Sequence, residues 1–292
     1  MKAIVFGGAG FLGSHVADAL LRKGYEVTVF DKKESEYLQN GQAMIIGDIL
    51  DKQQVADAVK GCDYVYNYAG IANLDDASTR PMDTVMLNIV GTCNILDACV
   101  EHHVKRFVYA SSFYANSEKG GFYRCSKQAA EIYIEEYERK DGLTYTILRY
   151  GSLYGPRADR TNGMRELIEQ AMGGNVIHCS GTGGDIREYI HVGDAAELSV
   201  EVLDEKYANR YIQLTGQEMY HREQIIALIE EILGKKLEVV YDGGEAELHY
   251  NVTPYTYKPH INYKLVSDCY HDIGQGIIEV MRLLEDESVE YL

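Results

Sequence analysis

Lys2-Ala3-Ile4-Val5-Phe6-Gly7-Gly8-Ala9-Gly10-Phe11-Leu12-Gly13 is an apolar strand running into a glycine-rich turn, followed by a helical pattern over 11–23, a second apolar strand, and Asp31 at that strand's end. A pyrophosphate needs backbone N–H groups unobstructed by side chains and the positive end of a helix dipole. Gly7 lets the chain turn sharply out of the strand, Gly10 lets the backbone approach the phosphates, and Gly13 lets the helix pack close to the sheet. Asp31 lies 18 residues beyond Gly13, where a carboxylate accepts hydrogen bonds from both hydroxyls of an adenosine ribose and repels a 2′-phosphate. The stretch therefore points to NAD. Lys32 and Lys33 leave NADP as the lesser alternative.

The rhythm continues outward from this unit. Apolar runs at Ala3–Phe6, Val27–Phe30, Ala43–Ile46, Tyr64–Tyr68, Arg106–Ala110 and Thr144–Leu148 alternate with helical patterns over 11–23, 51–59, 81–102 and 122–140. Such βαβ alternation predicts an α/β protein with a Rossmann, doubly wound parallel sheet. Beyond residue 150 the rhythm breaks into shorter elements punctuated by Gly155-Pro156, Gly173-Gly174, Gly183-Gly184 and Gly243-Gly244. The reading is a dinucleotide domain over 1–152, rejoined by about 188–205, and a smaller C-terminal α/β substrate lobe over 153–292. Ligands in such sheets bind beyond the strands' carboxyl ends, where this lobe would sit as a lid.

A net charge of −17 on 292 residues argues against nucleic acid or an anionic membrane as partner, since both want clustered Lys and Arg. Residues 1–6 show no leader pattern and no run approaches 18 consecutive apolar residues, so a cytoplasmic location is expected. The six cysteines are scattered without a C-x-x-C pair, which reads as reduced structural thiols, and no metal-ligand spacing stands out.

The chemistry gathers around residue 112. The strand ending Tyr109-Ala110-Ser111-Ser112 is followed 11 residues later by Tyr123-Arg124-Cys125-Ser126-Lys127 at a helix start, and Tyr and Lys at i and i+4 share a face. Tyr123 is alone among the 24 tyrosines in having a lysine four residues on. A free phenol, with a pKa of about 10, is a poor base at neutral pH. The expectation is that the Lys127 ammonium lowers that value while the Ser112 hydroxyl hydrogen-bonds the phenolic oxygen and the substrate. Three such groups can take a proton from an alcohol as hydride leaves its carbon for nicotinamide, a form of catalysis worth ~10² to 10⁴ in rate.

These residues resemble the extended short-chain dehydrogenases/reductases, in the nucleotide-sugar epimerase/dehydratase group, of the UDP-glucose 4-epimerase kind. Gly7, Gly10, Phe11, Leu12 and Gly13 fit that family's turn, with Phe6 where a threonine is usual. The resemblance implies that Asp48-Ile49 meets adenine, that Ala69-Gly70 lies beside the cofactor, and that Asn88, in Asn88-Ile89-Val90-Gly91-Thr92, supports the active-site strands. It implies catalytic roles for Ser112, Tyr123 and Lys127, the last two also touching NAD. Leu148-Arg149-Tyr150-Gly151-Ser152-Leu153-Tyr154-Gly155-Pro156 resembles a segment in which Ser152 replaces an asparagine that holds the substrate's diphosphate. Arg187, in Arg187-Glu188-Tyr189-Ile190-His191-Val192-Gly193-Asp194, matches an arginine that reaches the same diphosphate; the packing alternative pairs it with Glu188 or Asp185.

Family dehydratases carry an acidic pair directly after the catalytic Ser or Thr. Phe113 and Tyr114 stand there instead, which disfavours dehydration and decarboxylation. What remains is hydride transfer at a carbinol carbon of a nucleotide sugar: C4 epimerisation through a transient 4-keto sugar first, an NAD-dependent dehydrogenase or ketoreductase second, a non-catalytic sensor third. The run from Tyr250 to Tyr263, with Tyr255 and Tyr257, is a candidate wall of the substrate lobe. By resemblance, the helices over 81–102 and 122–140 form a homodimer interface.

Overall fold

The computed structural model describes residues 1–181, 183–243, 249–250, 252–254 and 262–290; Gly244, Tyr255 and Tyr257 lie outside them. In chain order the elements are β1 (Lys2–Phe6), α1 (Phe11–Arg22), β2 (Glu26–Asp31), β3 (Gln42–Ile46), α2 (Lys52–Val59), β4 (Tyr64–Asn67), α3 (Leu74–Thr79), α4 (Pro81–Val85) and α5 (Gly91–Glu101). Then come β5 (Arg106–Ser112), α6 (Gly121–Asp141), β6 (Tyr145–Tyr150), β7 (Ser152–Tyr154), α7 (Gly163–Gly173), β8 (Val176–Cys179), β9 (Ile186–His191) and α8 (Val192–Glu201). The last are β10 (Arg210–Leu214), β11 (Met219–His221), α9 (Arg222–Leu233), β12 (Glu238–Tyr241), β13 (Asn262–Leu265) and α10 (Ile273–Glu290).

Eight strands form one sheet in the order β13-β10-β6-β5-β4-β1-β2-β3, and each pairing in it is parallel. A parallel sheet covered on both faces needs apolar side chains on both, and the period-two geometry of each strand supplies them. In β1, Ile4 and Phe6 enter one core with Ile95, Phe107 and Ile134, while Ala3 and Val5 enter the other with Val16, Leu20 and Ile212. The order reverses between β1 and β4, so the crevice opens beyond the carboxyl ends of these strands.

The second lobe has its own core, in which Tyr154, Ile168, Ile177, Ile225, Ile229 and Ile277 are buried between α7, α9 and α10. Its sheets are small: β7 and β11 flank β9, and β12 pairs with β8. The division of the chain differs in detail from the sequence reading. Helix α8, within 188–205, packs its Ala195, Ala196 and Leu198 in the same core as Val16 and Leu20 of α1. The large sheet then takes two further strands, β10 and β13, from the stretch assigned to the substrate lobe. Strands of five and four residues carry too little periodicity to be separated from their neighbours without the partner strand in view. A further difference is α3, a single turn capped by Asn73, whose side chain accepts from the N–H groups of Asp75 and Asp76.

Candidate active site

The turn after β1 is built as glycine requires. Gly7 has φ +76° and donates its N–H to the carbonyl of Phe30 at 2.9 Å, tying β1 to β2. A Cβ on Gly13 would stand 2.2 Å from the Gly7 carbonyl oxygen, and one on Gly7 2.5 Å from the Ala69 nitrogen. The turns after β1 and β4 thus touch, and only glycine permits it. Gly10 occupies the N-cap of α1 and supplies no side-chain acceptor, so the first-turn N–H groups of Phe11 and Leu12 face the turn with the positive end of the dipole. The Asp31 carboxylate accepts from the Ala9 N–H at 3.1 Å, which fixes it at the rim of the same turn. These residues fit a dinucleotide: a bare backbone cradle, a helix N-terminus and an acid at the edge.

Lys32 is already engaged, with its Nζ 3.2 Å from the Asp48 carboxylate, which also accepts from the Leu50 N–H at 2.9 Å. Ile49 is buried against Gly91, where a Cβ would come within 2.5 Å of it. Gly70 has φ +144°, and a Cβ there would lie 2.4 Å from the Asn88 amide oxygen. Asn88 itself is buried. Its oxygen accepts from the Ile71 N–H at 2.7 Å, and its Nδ2 donates to the Ile71 carbonyl and to the Ser126 hydroxyl, both at 2.9 Å. It can reach both because residues Met86–Val90, between α4 and α5, form a π-helical turn that shifts the register of the helix. One amide thereby ties the loop after β4 to the helix that carries Tyr123.

Ser112, Tyr123 and Lys127 converge where β5 ends and α6 begins, and all three are buried. Lys127 donates to the Ala110 carbonyl at 2.7 Å, and its Nζ lies 4.9 Å from the ring centre of Tyr109 and 5.6 Å from that of Tyr123. Behind it, the Glu131 carboxylate takes both forks of Arg149, at 2.9 and 2.7 Å, and the Ser111 hydroxyl at 2.5 Å.

The expected lowering of the phenol's pKa is not what this geometry gives. Burial pushes Tyr123 up to about 12, opposed by its hydrogen bond with Ser112. Burial likewise pushes Lys127 down to about 8, with the Glu131 carboxylate acting the other way. Both charged forms lose hydration in the crevice, and that loss is the largest influence on each. The resting pair is a neutral phenol beside an ammonium.

Across the crevice, burial pushes the Tyr250 phenol up, and Arg187 and Ser152 of β7 act against that rise. The guanidinium of Arg187 lies 5.2 Å from the Tyr250 ring centre, and its Nε donates to Asp185 at 3.1 Å. Arg187 is thus paired with Asp185, as the packing alternative supposed, yet it also faces the crevice. Glu188 turns away to Lys264, at 3.3 Å.

Tyr114 and His249 complete the wall without having been read as site residues, and Tyr250, the first residue of the run expected as a wall, joins them. Tyr114 packs its ring 4.7 Å from that of Tyr250 and edge-on at 6.0 Å to that of Tyr123, and its hydroxyl meets Nδ1 of His249 at 2.8 Å. Gly120 has φ +96°, and a Cβ there would lie 2.6 Å from the Tyr114 ring, so both the backbone and the space call for glycine. Tyr114 was legible as the absence of an acid and Tyr250 as the start of a tyrosine-bearing run; His249 arrives from more than a hundred residues away, and no local pattern announces it.

Residues 3–214 match the NAD dependent epimerase/dehydratase family. A UDP-N-acetyl-alpha-D-glucosaminuronate decarboxylase from Bacillus cytotoxicus is 27% identical over 267 residues, covering 82% of this chain and 83% of that protein. The Thermotoga maritima UDP-glucose 4-epimerase, solved with UDP-glucose, superposes with a TM-score of 0.85 at 25% identity, over 99% of this chain and 100% of that one. The Bacillus cereus UDP-glucuronic acid 4-epimerase, solved with UDP-glucuronic acid and NAD, shares the fold with a TM-score of 0.86 at 22% identity, over 98% of this chain and 100% of that one. With the glycine cradle, the acid at its rim and the Ser112, Tyr123 and Lys127 cluster in one crevice, this chain belongs to the NAD-dependent epimerase/dehydratase family.

Proposed function

We propose that this protein is an NAD-dependent sugar-nucleotide 4-epimerase, with Ser112, Tyr123 and Lys127 as its acid–base centre. The observation that carries the reading is the convergence of these three groups between the dinucleotide turn and Arg187, with Phe113 and Tyr114 in place of carboxylates. Likeness to the Thermotoga maritima enzyme supports it.

Gly7, Gly10, Phe11, Leu12 and Gly13 would hold the pyrophosphate, Asp31 the adenosine ribose, Asp48 and Ile49 the adenine, and Ala69 and Gly70 the inner face. Bound NAD supplies a hydride acceptor at a carbinol carbon. Tyr123 first gives up its own proton to solvent, which the Lys127 ammonium makes less costly by stabilising the phenolate; that oxygen, aligned by Ser112, then takes the substrate's hydroxyl proton. With NAD bound, the hydride it had taken would be available to the other face of the turned keto sugar, and Tyr123 would return the proton to the oxygen. The walls of Tyr114 and Tyr250 keep water from the exposed carbonyl, and Arg187 with Ser152 holds the diphosphate while the sugar turns.

The test is conversion of UDP-glucose to UDP-galactose by protein as purified, with no NAD added and no net NADH formed. Stoichiometric NADH would instead mark a dehydrogenase. The protein is further proposed to be a homodimer. Met82, Val85 and Met86 before α5, and Phe122, Ile132 and Tyr133 on α6, are exposed apolar side chains on the two helical stretches expected to pair. Light scattering at the mass of one chain would refute it.

A further inference from the structure

Asp185 lies between two arginines. Its Oδ2 accepts from Arg187 Nε at 3.1 Å and from Arg222 Nη2 at 2.9 Å, and all three side chains are largely buried. Arg222, the first residue of α9, is anchored a second time, donating through Nη1 to the Ser180 carbonyl at 2.8 Å. Burial alone would raise the Asp185 carboxyl, but the two arginines override it and hold it below the usual carboxylate range. The triad therefore carries one net positive charge, inside a chain whose overall charge is −17. His249, from the far wall, is pushed down by burial and by Arg187, so it adds no cation at neutral pH.

The consequence concerns the anion that Arg187 faces. A lone carboxylate against Arg187 would cancel the charge needed to hold a phosphate. Arg222 offsets that carboxylate. Asp185 takes the Nε edge of Arg187, whose guanidinium lies 5.2 Å from the Tyr250 ring centre, so the Nη edge is the one through which a planar guanidinium would meet phosphate oxygens. We propose that Asp185 and Arg222 are positioning residues that set the affinity of Arg187 for the substrate's diphosphate, Asp185 aiming the guanidinium and Arg222 preserving its charge. This deepens the nucleotide-sugar reading and rests on it.

The arrangement makes the two partners act with opposite sign. Arg222→Met removes a positive charge from the triad and is expected to weaken UDP binding about tenfold, the worth of one charge-assisted contact. Asp185→Asn keeps an acceptor for Arg187 Nε but removes the competing charge, and is expected to tighten UDP binding several-fold. Calorimetric titration of the NAD-loaded protein with UDP, and separately with inorganic pyrophosphate, at low and moderate salt, reads both. Both variants should melt somewhat lower, since each breaks a largely buried ion pair, yet keep the wild-type NAD affinity, and the salt dependence should fall in Arg222→Met and rise in Asp185→Asn. A merely structural triad would lower the melting temperature and leave the sign pattern absent. UDP affinity unchanged in Arg222→Met, or weakened in Asp185→Asn, overturns the inference while leaving the epimerase reading in place. UDP affinity unchanged in Arg187→Met, or no UDP binding by the wild type, overturns the reading and the inference with it.

Discussion

Lys127 stands over the face of Tyr123, its Nζ 5.6 Å from the ring centre, while donating at 2.7 Å to the Ala110 carbonyl of β5. The ammonium is therefore anchored by the strand that also carries Ser112, and it acts on the phenol through space. This placement matters because neither group is poised by itself: burial drives the phenol up to about 12 and the ammonium down to about 8. A proton leaving Tyr123 becomes affordable only while Lys127 stays charged.

Turnover should accordingly fall as pH rises through about 8, where Lys127 loses its proton. The sign for stability is opposite. The native value lies below the ordinary 10.5, so between about 8 and 10.5 the unfolded chain holds the proton that the native chain has released, and stability contributed by this group rises across that window. A pH–rate profile of kcat/KM whose alkaline side stays flat to pH 10 would contradict the assignment.

Tyr123→Phe removes the proton carrier and keeps the ring that packs edge-on against Tyr114. The expected loss in kcat is ~10² to 10⁴, with NAD content and melting temperature close to wild type. Wild-type turnover in this variant would remove the acid–base centre as drawn.

Gly13→Ala places a methyl group 2.2 Å from the Gly7 carbonyl oxygen, closer than real contacts allow. Helix α1 must move off the turn, at a cost of about 1–3 kcal/mol or more, and the pyrophosphate cradle opens. The purified variant should melt lower and carry little NAD, read by heating curves and by absorbance of the nucleotide released on denaturation.

Asn88→Ala leaves both the N–H and the carbonyl of Ile71 buried without their partner, and frees Ser126 on α6. A destabilisation of about 3 kcal/mol is expected from urea unfolding, together with lower kcat, since the loop after β4 and the helix bearing Tyr123 lose their shared tie. Unchanged stability would show that water replaces the amide.

The dinucleotide half was legible because its signals are local. Gly7 and Gly13 answer a contact between neighbouring turns, and Tyr123 and Lys127 share a helical face. The π-helical turn at Met86–Val90 was invisible, since a single wide turn is too short to show a period of its own, and a one-residue shift of register is lost in the scatter of an apolar pattern. The pKa directions also escaped the sequence, because Tyr-x-x-x-Lys announces proximity but not dehydration. His249 and Arg222 join the crevice through tertiary packing across long separations, and spacing rules do not reach that far.

The strand β13 has a consequence for how the molecule is made. It extends the large sheet beyond β10, yet its residues, Asn262–Leu265, follow nearly the whole substrate lobe in the chain. The edge of β10 must stay unpaired on the ribosome until residue 265 has emerged, so the nucleotide-binding half, begun first, is completed only after most of the substrate lobe has been made. A chain cut between the lobes yields no complete half, and the crevice acquires its far wall only once residue 250 has been added.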